Sequence, residues 1–261
     1  MSIDVDGGIP GPIRAHKICG NDTMWFVTFC DSKYARTRER IRREAVASGY
    51  FDEVRALGEG DLGEGFWSRH ADFVRENPRG FGYWLWKPYV ILKTLQEMRE
   101  GDVLVYADGG CTINPGCRAK LEEYAETAKS NRGIFFPGNT SGKCKLGEWT
   151  KGDLLAAFPD VDPSSPMVHA TVNVMCNTEY VRRFVEKWYE LAASDGYRNI
   201  DDSPSRMPNL PYFRENRHDR GGVTVLLHRE GLFVDTGPQI WFVDGFGRNM
   251  DRPIHARRLK F

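Results

Sequence analysis

The sequence lacks an excess of charge of either sign. Its 261 residues include 36 basic and 36 acidic side chains, so the formal net charge is zero. Proteins that bind nucleic acid are typically strongly basic, and we therefore expect no nucleic-acid partner. The sequence also lacks any run of about 18 apolar residues, so we expect no integral membrane segment. The N-terminal residues do not have the apolar core of a secretory signal peptide.

Cysteine is scarce, and several well-known motifs are absent. The six cysteines are scattered and no Cys-x-x-Cys pair occurs, which argues against a zinc site. A reduced protein of the cytoplasm fits this cysteine usage best. The sequence has no P-loop, no Gly-x-Gly-x-x-Gly after its first strand and no Gly-x-Ser-x-Gly elbow. These absences disfavour a P-loop NTPase, a dinucleotide-binding fold and an α/β-hydrolase.

Apolar, β-rich runs alternate with helical patterns along the chain. Three of these runs are predicted to be buried strands: residues 25–30, 103–107 and 170–176. The alternation predicts an α/β fold with a mostly parallel central sheet flanked by helices. We expect one domain over residues 23–261, preceded by a flexible arm over residues 1–22. The irregular segment 195–216 is long for a loop inside a compact domain, and its prolines favour an ordered wall or lid.

The strand that ends at Asp108 is the most informative segment. Residues 103–107 are apolar, and the chain then continues with Asp108, Gly109 and Gly110. A buried strand that stops at a carboxylate places that group at the edge of a sheet, where open α/β sheets bind ligands. Glycines there let a ligand or metal approach the backbone closely, and Mg²⁺ prefers carboxylate oxygens. The alternative is an aspartate that only caps a turn.

Two further side chains suggest sites for an anion and for proton transfer. Lys87 lies near the start of a helix predicted over 83–98, in a segment rich in aromatic residues. A cation there opposes the helix dipole, so it indicates a phosphate contact unless the segment serves core packing alone. Asp219 falls at another predicted helix start, where it is either an N-cap or a base or transition-state stabiliser. The adjacent Arg217 and His218 are either structural or bind an acceptor.

The C-terminal segment, residues 252–260, is basic. One interpretation is a solvated end of the chain. The other is a tail that folds back and brings His255, Arg257 or Lys260 to phosphates, which basic side chains bind through charge-assisted hydrogen bonds.

Five segments in a fixed order resemble one family. They are the first strand, the Arg-Gly-x-Gly-Tyr-x-x-Trp-Lys-Pro block, the strand end Tyr-x-Asp-x-Gly-Cys-x-Ile-Asn, the Glu-Trp-Thr-Lys-x-Asp block, and Asp-Asp-Ser-Pro-Ser followed by Arg-His-Asp. The family is the nucleotide-sugar-dependent glycosyltransferases of the GT-A fold that occur in bacterial surface-polysaccharide clusters and in large DNA viruses. The resemblance spans roughly residues 24–236. Each block is weak evidence alone, but five in register are specific.

The resemblance implies an α/β protein with a GT-A (Rossmann-like), mostly parallel central sheet. It implies an enzyme that transfers a sugar from a nucleoside-diphosphate sugar to a hydroxyl of a glycan acceptor, with a UDP-sugar favoured and a GDP-sugar second. It also implies a divalent cation, Mn²⁺ or Mg²⁺. Asp108 matches the first acid of the family's DxD metal motif, and Gly110 stands where the second acid is common. His255 resembles a C-terminal histidine ligand.

The same resemblance implies the remaining site residues. Donor contacts are expected at Thr28, Phe29, Cys30, Tyr34, Lys87, Asp108 and Gly110. Acceptor contacts are expected at Asn173, His218 and Asp202. Asp219 is the first choice for the catalytic base of an inverting reaction and Asp153 the second; in a retaining reaction Asp219 would position or stabilise the sugar. Relatives commonly have Gln-Ser after this aspartate, whereas Arg220 and Gly221 follow it here.

Two other functions are compatible with the sequence. A catalytically degraded module of the same fold would bind nucleotide or glycan without turnover, as the missing acid at position 110 suggests. A metal-dependent nucleotide-sugar hydrolase would cleave the donor, and no acceptor would accelerate that cleavage.

Overall fold

The computed structural model describes most of the predicted domain. The described residues are 22–140, 142–237, 239–243 and 250–261. The flexible arm predicted over residues 1–22 lies, apart from Asp22, outside the described residues. Within the described ranges, none of the helices has the length and apolar character that a membrane span requires.

A five-stranded sheet forms the centre of the fold. In spatial order its strands are β2 (Glu53–Leu57), β1 (Met24–Phe29), β3 (Val103–Ala107), β6 (Val172–Cys176) and β5 (Ile134–Phe135). β1 pairs in parallel with β2 and β3, whereas β6 runs antiparallel to β3 and to β5. Four of these five strands therefore point the same way, which confirms the prediction of an α/β fold with a mostly parallel sheet.

Helices cover both faces of this sheet. Side chains along a strand alternate between its faces, so Val27 and Phe29 of β1 enter one core while Met24 and Phe26 enter the other. The helices that pack on the first core are α2 (Glu64–Glu76), α4 (Trp86–Glu97), α6 (Gly152–Ala157), α7 (Glu179–Ala193) and α8 (Asp219–Arg229). Those on the second core are α1 (Ala35–Ser48) and α5 (Arg118–Ser130). Burial on both faces explains why the strands are continuously apolar in the sequence.

A second, smaller sheet brings the C-terminal segment to the end of β3. Its strands are β4 (Thr112–Ile113), β8 (Ile254–Ala256) and β7 (Trp241–Phe242), in that order. β8 pairs antiparallel with β4 and parallel with β7. Because β4 follows β3 after a short turn, this pairing holds the C-terminal segment beside the edge of the central sheet.

The irregular segment 195–216 is anchored by a buried lysine. Lys151 is 2% exposed. Its Nζ lies 2.6 Å from the carbonyl oxygen of Arg198, 2.8 Å from Oδ1 of Asp201 and 3.2 Å from Oγ of Ser203. These contacts hold the start of the segment against the body of the fold.

Candidate active site

A cavity of about 790 Å³ opens at the edge of the central sheet where β1 and β3 end. β6 begins at the same edge, because it runs antiparallel to β3. A cavity of this size suits a ligand of nucleotide or sugar dimensions. The predicted site residues that line it are Phe29, Cys30, Tyr34, Lys87, Asp108, Gly110, His218 and Asp219.

Lys87 joins two carboxylates in the wall of this cavity. Its Nζ lies 3.2 Å from Oδ1 of Asp108 and 2.6 Å from Oδ2 of Asp219, and it donates a hydrogen bond to the carbonyl oxygen of Ala170 at 3.2 Å. We call Lys87, Asp108 and Asp219 the ion triad. The side chain of Lys87 is 3% exposed, against 32% for Asp108 and 9% for Asp219. Asp108 is therefore the member that a ligand reaches most easily.

The ion triad forms where three elements begin or end. Asp108 directly follows β3, Lys87 is in the first turn of α4, and Asp219 is the first residue of α8. A lysine at a helix N-terminus opposes the helix dipole, and the nearby carboxylates compensate for it. The sequence suggested a bound phosphate as the anion opposite Lys87. The structure instead places two carboxylates of the protein there.

The surroundings keep Lys87 protonated. Burial acts to lower the pKa of Lys87, but the charges of Asp108 and Asp219 outweigh it and raise that pKa above its ordinary value. Burial raises the pKa of Asp108, and Lys87 offsets only part of this effect. The hydroxyl of Tyr106 donates to Oδ1 of Asp108 at 2.7 Å. Burial beside that carboxylate raises the pKa of Tyr106, so the phenol remains a hydrogen-bond donor.

Basic side chains outnumber acidic ones around the cavity. The basic lining consists of Arg79, Lys87, Arg217, Arg220, Arg258 and Lys260, and the acidic lining of Asp31, Asp108 and Asp219. Nε of Arg220 donates to the carbonyl of Val168 at 3.1 Å, while its buried Nη2 has no hydrogen-bond partner among the described residues. Because the whole chain has zero net charge, this local excess marks the cavity as a site for an anion.

His218 and Trp84 form an aromatic wall. Their rings are stacked, with centroids 5.3 Å apart and planes inclined by 22°. Nδ1 of His218 lies 2.8 Å from the carbonyl oxygen of Ile200, which makes Nδ1 the donor and leaves Nε2 as an acceptor. This Nε2 is buried without a partner among the described residues. Burial lowers the pKa of His218, so the neutral ring can accept a hydrogen bond from a hydroxyl of a ligand.

The turn before α4 has left-handed backbone geometry. Five consecutive residues, Gly80 to Trp84, have positive φ angles between 52° and 77°, so the short segment α3 (Gly80–Tyr83) is a left-handed turn. The helix predicted from residue 83 therefore begins later, at Trp86. The left-handed conformation costs roughly 1–2 kcal/mol for each non-glycine residue. The turn brings Phe81 and Trp84 to the cavity wall.

The C-terminal segment folds back onto the end of β3. The amide of Leu259 donates to the carbonyl of Gly110 at 3.0 Å, and a Cβ added at Gly110 would lie 3.1 Å from Cα of Arg258. The sequence suggested that this glycine leaves space for a ligand or metal. The chain itself occupies that space. Of the residues that the folded-back alternative named, Lys260 lines the cavity, together with Arg258, whereas His255 and Arg257 are not among the described lining residues.

The side chains at the cavity do not fit a divalent cation. Position 110 offers no carboxylate, and Oδ1 of Asp108 is already contacted by Lys87 and by the Tyr106 hydroxyl. Across the described ranges, no three His, Cys, Asp or Glu side chains group as metal ligands. His255 lies in β8, where its Nε2 contacts the carbonyl oxygen of Met250 at 3.0 Å, and it is not among the described lining residues. Asp108 and His255 therefore do not form the Mn²⁺ or Mg²⁺ site that the resemblance implied.

Three other predicted ligand contacts lie beside the cavity or beneath it. Thr28 and Asn173 are fully buried in the central sheet, and neither appears among the lining residues that the structure describes. Asp202 likewise lies outside that lining, but its Oδ2 accepts a hydrogen bond from Arg79 at 2.8 Å, and Arg79 lines the cavity. Asp202 is thus placed to orient a lining residue.

Asp153 holds the irregular segment and does not line the cavity. Its Oδ1 accepts hydrogen bonds from the amides of Arg206 at 2.9 Å and Met207 at 2.8 Å. Burial raises the pKa of Asp153, but the amides of Met207 and Arg206 outweigh burial and bring it below the ordinary value. A carboxylate bound to the main chain in this way is poorly placed to take a proton from an acceptor. The assignment of Asp153 as the second choice of catalytic base stays a prediction, and this geometry does not favour it.

Sequence reasoning missed two residues of the site. Tyr106 precedes Asp108 by two positions, and strand alternation would have placed both on the same side of the sheet. The Lys87 ammonium lies 5.6 Å from the centre of the Tyr106 ring, so the phenol packs directly against the triad. Arg220 was visible only as a departure from the family pattern. No local signal indicated that its guanidinium lines the cavity.

No protein-family model and no curated protein sequence matches the chain. Similar solved structures exist, and they include the following three glycosyltransferases. Mouse xyloside xylosyltransferase 1, in its apo form, is 11% identical with a TM-score of 0.48, over 90% of this chain and 97% of that one. The apo bifunctional glycosyltransferase WbbM is 10% identical with a TM-score of 0.49, over 88% and 41%. The galactosyltransferase LgtC, in complex with donor and acceptor sugar analogs, is 12% identical with a TM-score of 0.43, over 91% and 84%. Similarity of this extent does not identify a family, so the function has to be argued from the cavity.

Proposed function

We propose that the protein is a glycosyltransferase that transfers a sugar from a nucleoside-diphosphate sugar to a hydroxyl of a glycan acceptor. The observation that carries this proposal is the cavity at the sheet edge, where the ion triad lies among an excess of basic side chains. A diphosphate leaving group needs positive charge around it. The acceptor hydroxyl needs a group that takes its proton. The cavity contains candidates for both tasks.

The donor nucleoside is assigned to the wall that follows β1. Phe29, Cys30 and Tyr34 line the cavity there. Because Phe29 is buried against Trp86, the half-buried ring of Tyr34 is the one that suits stacking against a base. Nζ of Lys260 lies 5.7 Å from the centre of the Tyr34 ring, which is a suitable position for a phosphate contact next to the nucleoside. A UDP-sugar is our favoured donor and a GDP-sugar the second.

Asp219 is assigned as the catalytic base and His218 as an acceptor contact. In the transfer step the acceptor O–H bond breaks and its proton moves to the Asp219 carboxylate. The acceptor oxygen bonds to the anomeric carbon, and the bond from that carbon to phosphate breaks, with its electron pair leaving on the nucleoside diphosphate. Nε2 of His218, which has no partner among the described residues, would accept a hydrogen bond from the acceptor.

A reducing compartment such as the cytoplasm is our proposed location. The five cysteines in the described part of the chain form no disulfide, and free thiols persist where glutathione keeps them reduced. Nucleoside-diphosphate sugars and glycans are the proposed partners.

A nucleotide panel tests the donor site. Purified protein is screened by thermal shift against UDP, GDP, CMP and dTDP and their sugars, and the donor that stabilises it is then tested for transfer to glycan acceptors. We expect one nucleoside diphosphate to raise the melting temperature and its sugar conjugate to be consumed faster when acceptor is present. Binding without turnover would indicate a degraded module. Cleavage that no acceptor accelerates would indicate a hydrolase.

The Asp219→Asn variant tests the assignment of the base. We expect kcat to fall by about 10²- to 10⁴-fold, because a general base contributes that much, while the Kd of the donor nucleotide changes little. Asp153→Asn is the matched control, since it makes the same chemical change at a carboxylate outside the cavity lining, and it should lower stability with little effect on kcat. An equal loss of kcat and donor affinity in Asp219→Asn would make Asp219 a structural residue.

A further inference from the structure

We propose that the cavity holds the diphosphate of its donor without a divalent cation, because side chains of the protein supply the positive charge. This inference rests on the proposed function. The cations we assign to the phosphates are Arg220, Arg258 and Lys260, all of which line the cavity. Lys87 offsets one of the two negative charges of the ion triad, so its ammonium is not counted among the phosphate contacts.

Lys87 already makes the contacts that a bound metal would make. Asp108 and Asp219 are the carboxylates of the triad, and the ammonium is within 3.2 Å of one and 2.6 Å of the other. Mg²⁺ requires several oxygen ligands at about 2.1 Å. A metal at these carboxylates would have to displace the Lys87 ammonium, whose side chain is 3% exposed.

A side chain at position 110 would press against the C-terminal segment. The backbone of Arg258 lies 3.1 Å from where a Cβ would be, and the carbonyl oxygen of Leu259 lies 3.4 Å from it. The segment that closes this position also carries basic side chains into the cavity. The same segment thus disfavours a carboxylate ligand at position 110 and brings basic side chains to the cavity. Cations of the protein would then supply the positive charge that a metal ion would otherwise supply.

Arg220 is the member of this set with unused hydrogen-bonding capacity. Its Nη2 is buried and lacks a partner among the described residues, whereas its Nε is fixed on the carbonyl of Val168. A guanidinium held in this way keeps one N–H group, that of Nη2, for a charge-assisted hydrogen bond to a phosphate oxygen. Arginine at this position therefore agrees with a metal-free diphosphate site.

Nucleotide titrations with and without metal test this inference. The Kd of UDP and of GDP is measured by calorimetry in EDTA and again in Mn²⁺, with wild type, Arg220→Gln, Lys260→Gln and the control Arg229→Gln. Arg229 is also on α8, but its side chain is 51% exposed and pairs with Asp160. We expect the nucleotide to bind equally well in both buffers. Arg220→Gln should weaken binding by about tenfold or more, Lys260→Gln by a smaller factor, and Arg229→Gln not at all.

The possible failures are distinguishable. A nucleotide that binds at least about tenfold more tightly in Mn²⁺ than in EDTA would overturn the inference and leave the proposed function standing. Unchanged binding in Arg220→Gln would overturn the assignment of the cations. If neither nucleotide, nor any other in the panel above, binds in either buffer, the proposed function itself fails.

Discussion

Replacement of Lys87 by methionine tests whether the ion triad stabilises the fold. Methionine keeps much of the volume of the lysine stem but removes the ammonium that lies 3.2 Å from Asp108 and 2.6 Å from Asp219. Two carboxylates would then face each other without a shared cation. Removal of one partner from a buried ion pair costs about 3–5 kcal/mol, chiefly because the other charge is left buried and unpaired.

The expected loss can be read from equilibrium unfolding in urea, followed by tryptophan fluorescence. A loss of about 3–5 kcal/mol corresponds to a fall of about 10 °C in Tm for a chain of this size. Lys93→Met is the control, because Lys93 lies on the same helix but its Nζ contacts only an exposed carbonyl oxygen, that of Asp61. We expect the control to lose less than about 1 kcal/mol.

A double variant makes the test specific to charge. In the wild-type background, Asp219→Asn removes a partner of Lys87 and should lower the free energy of unfolding by about 2 kcal/mol. In the Lys87→Met background, Asp219→Asn removes one of two unpaired negative charges and should raise the free energy of unfolding. This reversal of sign is expected only when the residues interact directly. An Asp219→Asn effect of the same sign in both backgrounds, or a Lys87→Met loss below about 1 kcal/mol, would refute the reasoning.

Two further predictions concern residues outside the triad. Burial lowers the pKa of His70 from 6.5 to about 4, so the folded state binds this proton more weakly than the unfolded state. The stabilisation that the neutral His70 ring contributes is therefore present above pH 6.5 and is lost as the pH falls towards 4. The free energy of unfolding should drop by about 2 kcal/mol more between pH 7 and pH 5 in wild type than in His70→Gln; equal drops would contradict this. Gly110→Ala should cost about 1–3 kcal/mol in urea unfolding because its Cβ meets the Arg258 backbone. Gly60→Ala, where nothing lies within 4 Å of the added Cβ, should cost nothing, and similar losses in both would disprove the close packing.

The sheet and the positions of the ion triad could be predicted because their signals are local. The continuous apolar runs of β1 and β3 reflect burial on both faces. Asp108 is identified by its place at a strand end, and Lys87 and Asp219 by their places at helix starts. The rule that ligands bind at the carboxyl ends of strands then brings these residues together. The phosphate contact of Lys87 stays a prediction. Nothing in the sequence indicates that the carboxylates of Asp108 and Asp219 both approach its ammonium.

The pairing of β4 with β8 and the contact of Arg258 with Gly110 could not be predicted, although the folded-back interpretation brought the tail to phosphates. β4 and β8 have two and three residues, which is too short for any periodicity to be recognised. The packing of Arg258 on Gly110 joins residues far apart in the chain, and its energy comes from tertiary contacts alone. The resemblance therefore implied a metal site at a position that the folded chain closes. Glycine at position 110 already departed from the metal motif in the sequence. The physical reason for this glycine is the contact with the backbone of Arg258.

The aromatic wall of the cavity combines two strained pieces of backbone. Trp84 has a φ of 63° and His218 a φ of 48°, and the two side chains stack on each other. Trp84 lies in the left-handed helical region, and His218, with a ψ of −116°, lies in another sparsely populated region. Such conformations cost roughly 1–3 kcal/mol each, so neither would persist from local preference. Such strain survives where surrounding contacts determine it, and it concentrates at functional sites. Here the contact of the His218 ring with the carbonyl of Ile200 and the hydrogen bond from the Trp86 indole to the carbonyl of Gly80 hold both segments. The result is a flat aromatic surface beside the ion triad, with a His218 Nε2 that has no partner among the described residues, and this is where the proposed acceptor sugar would bind.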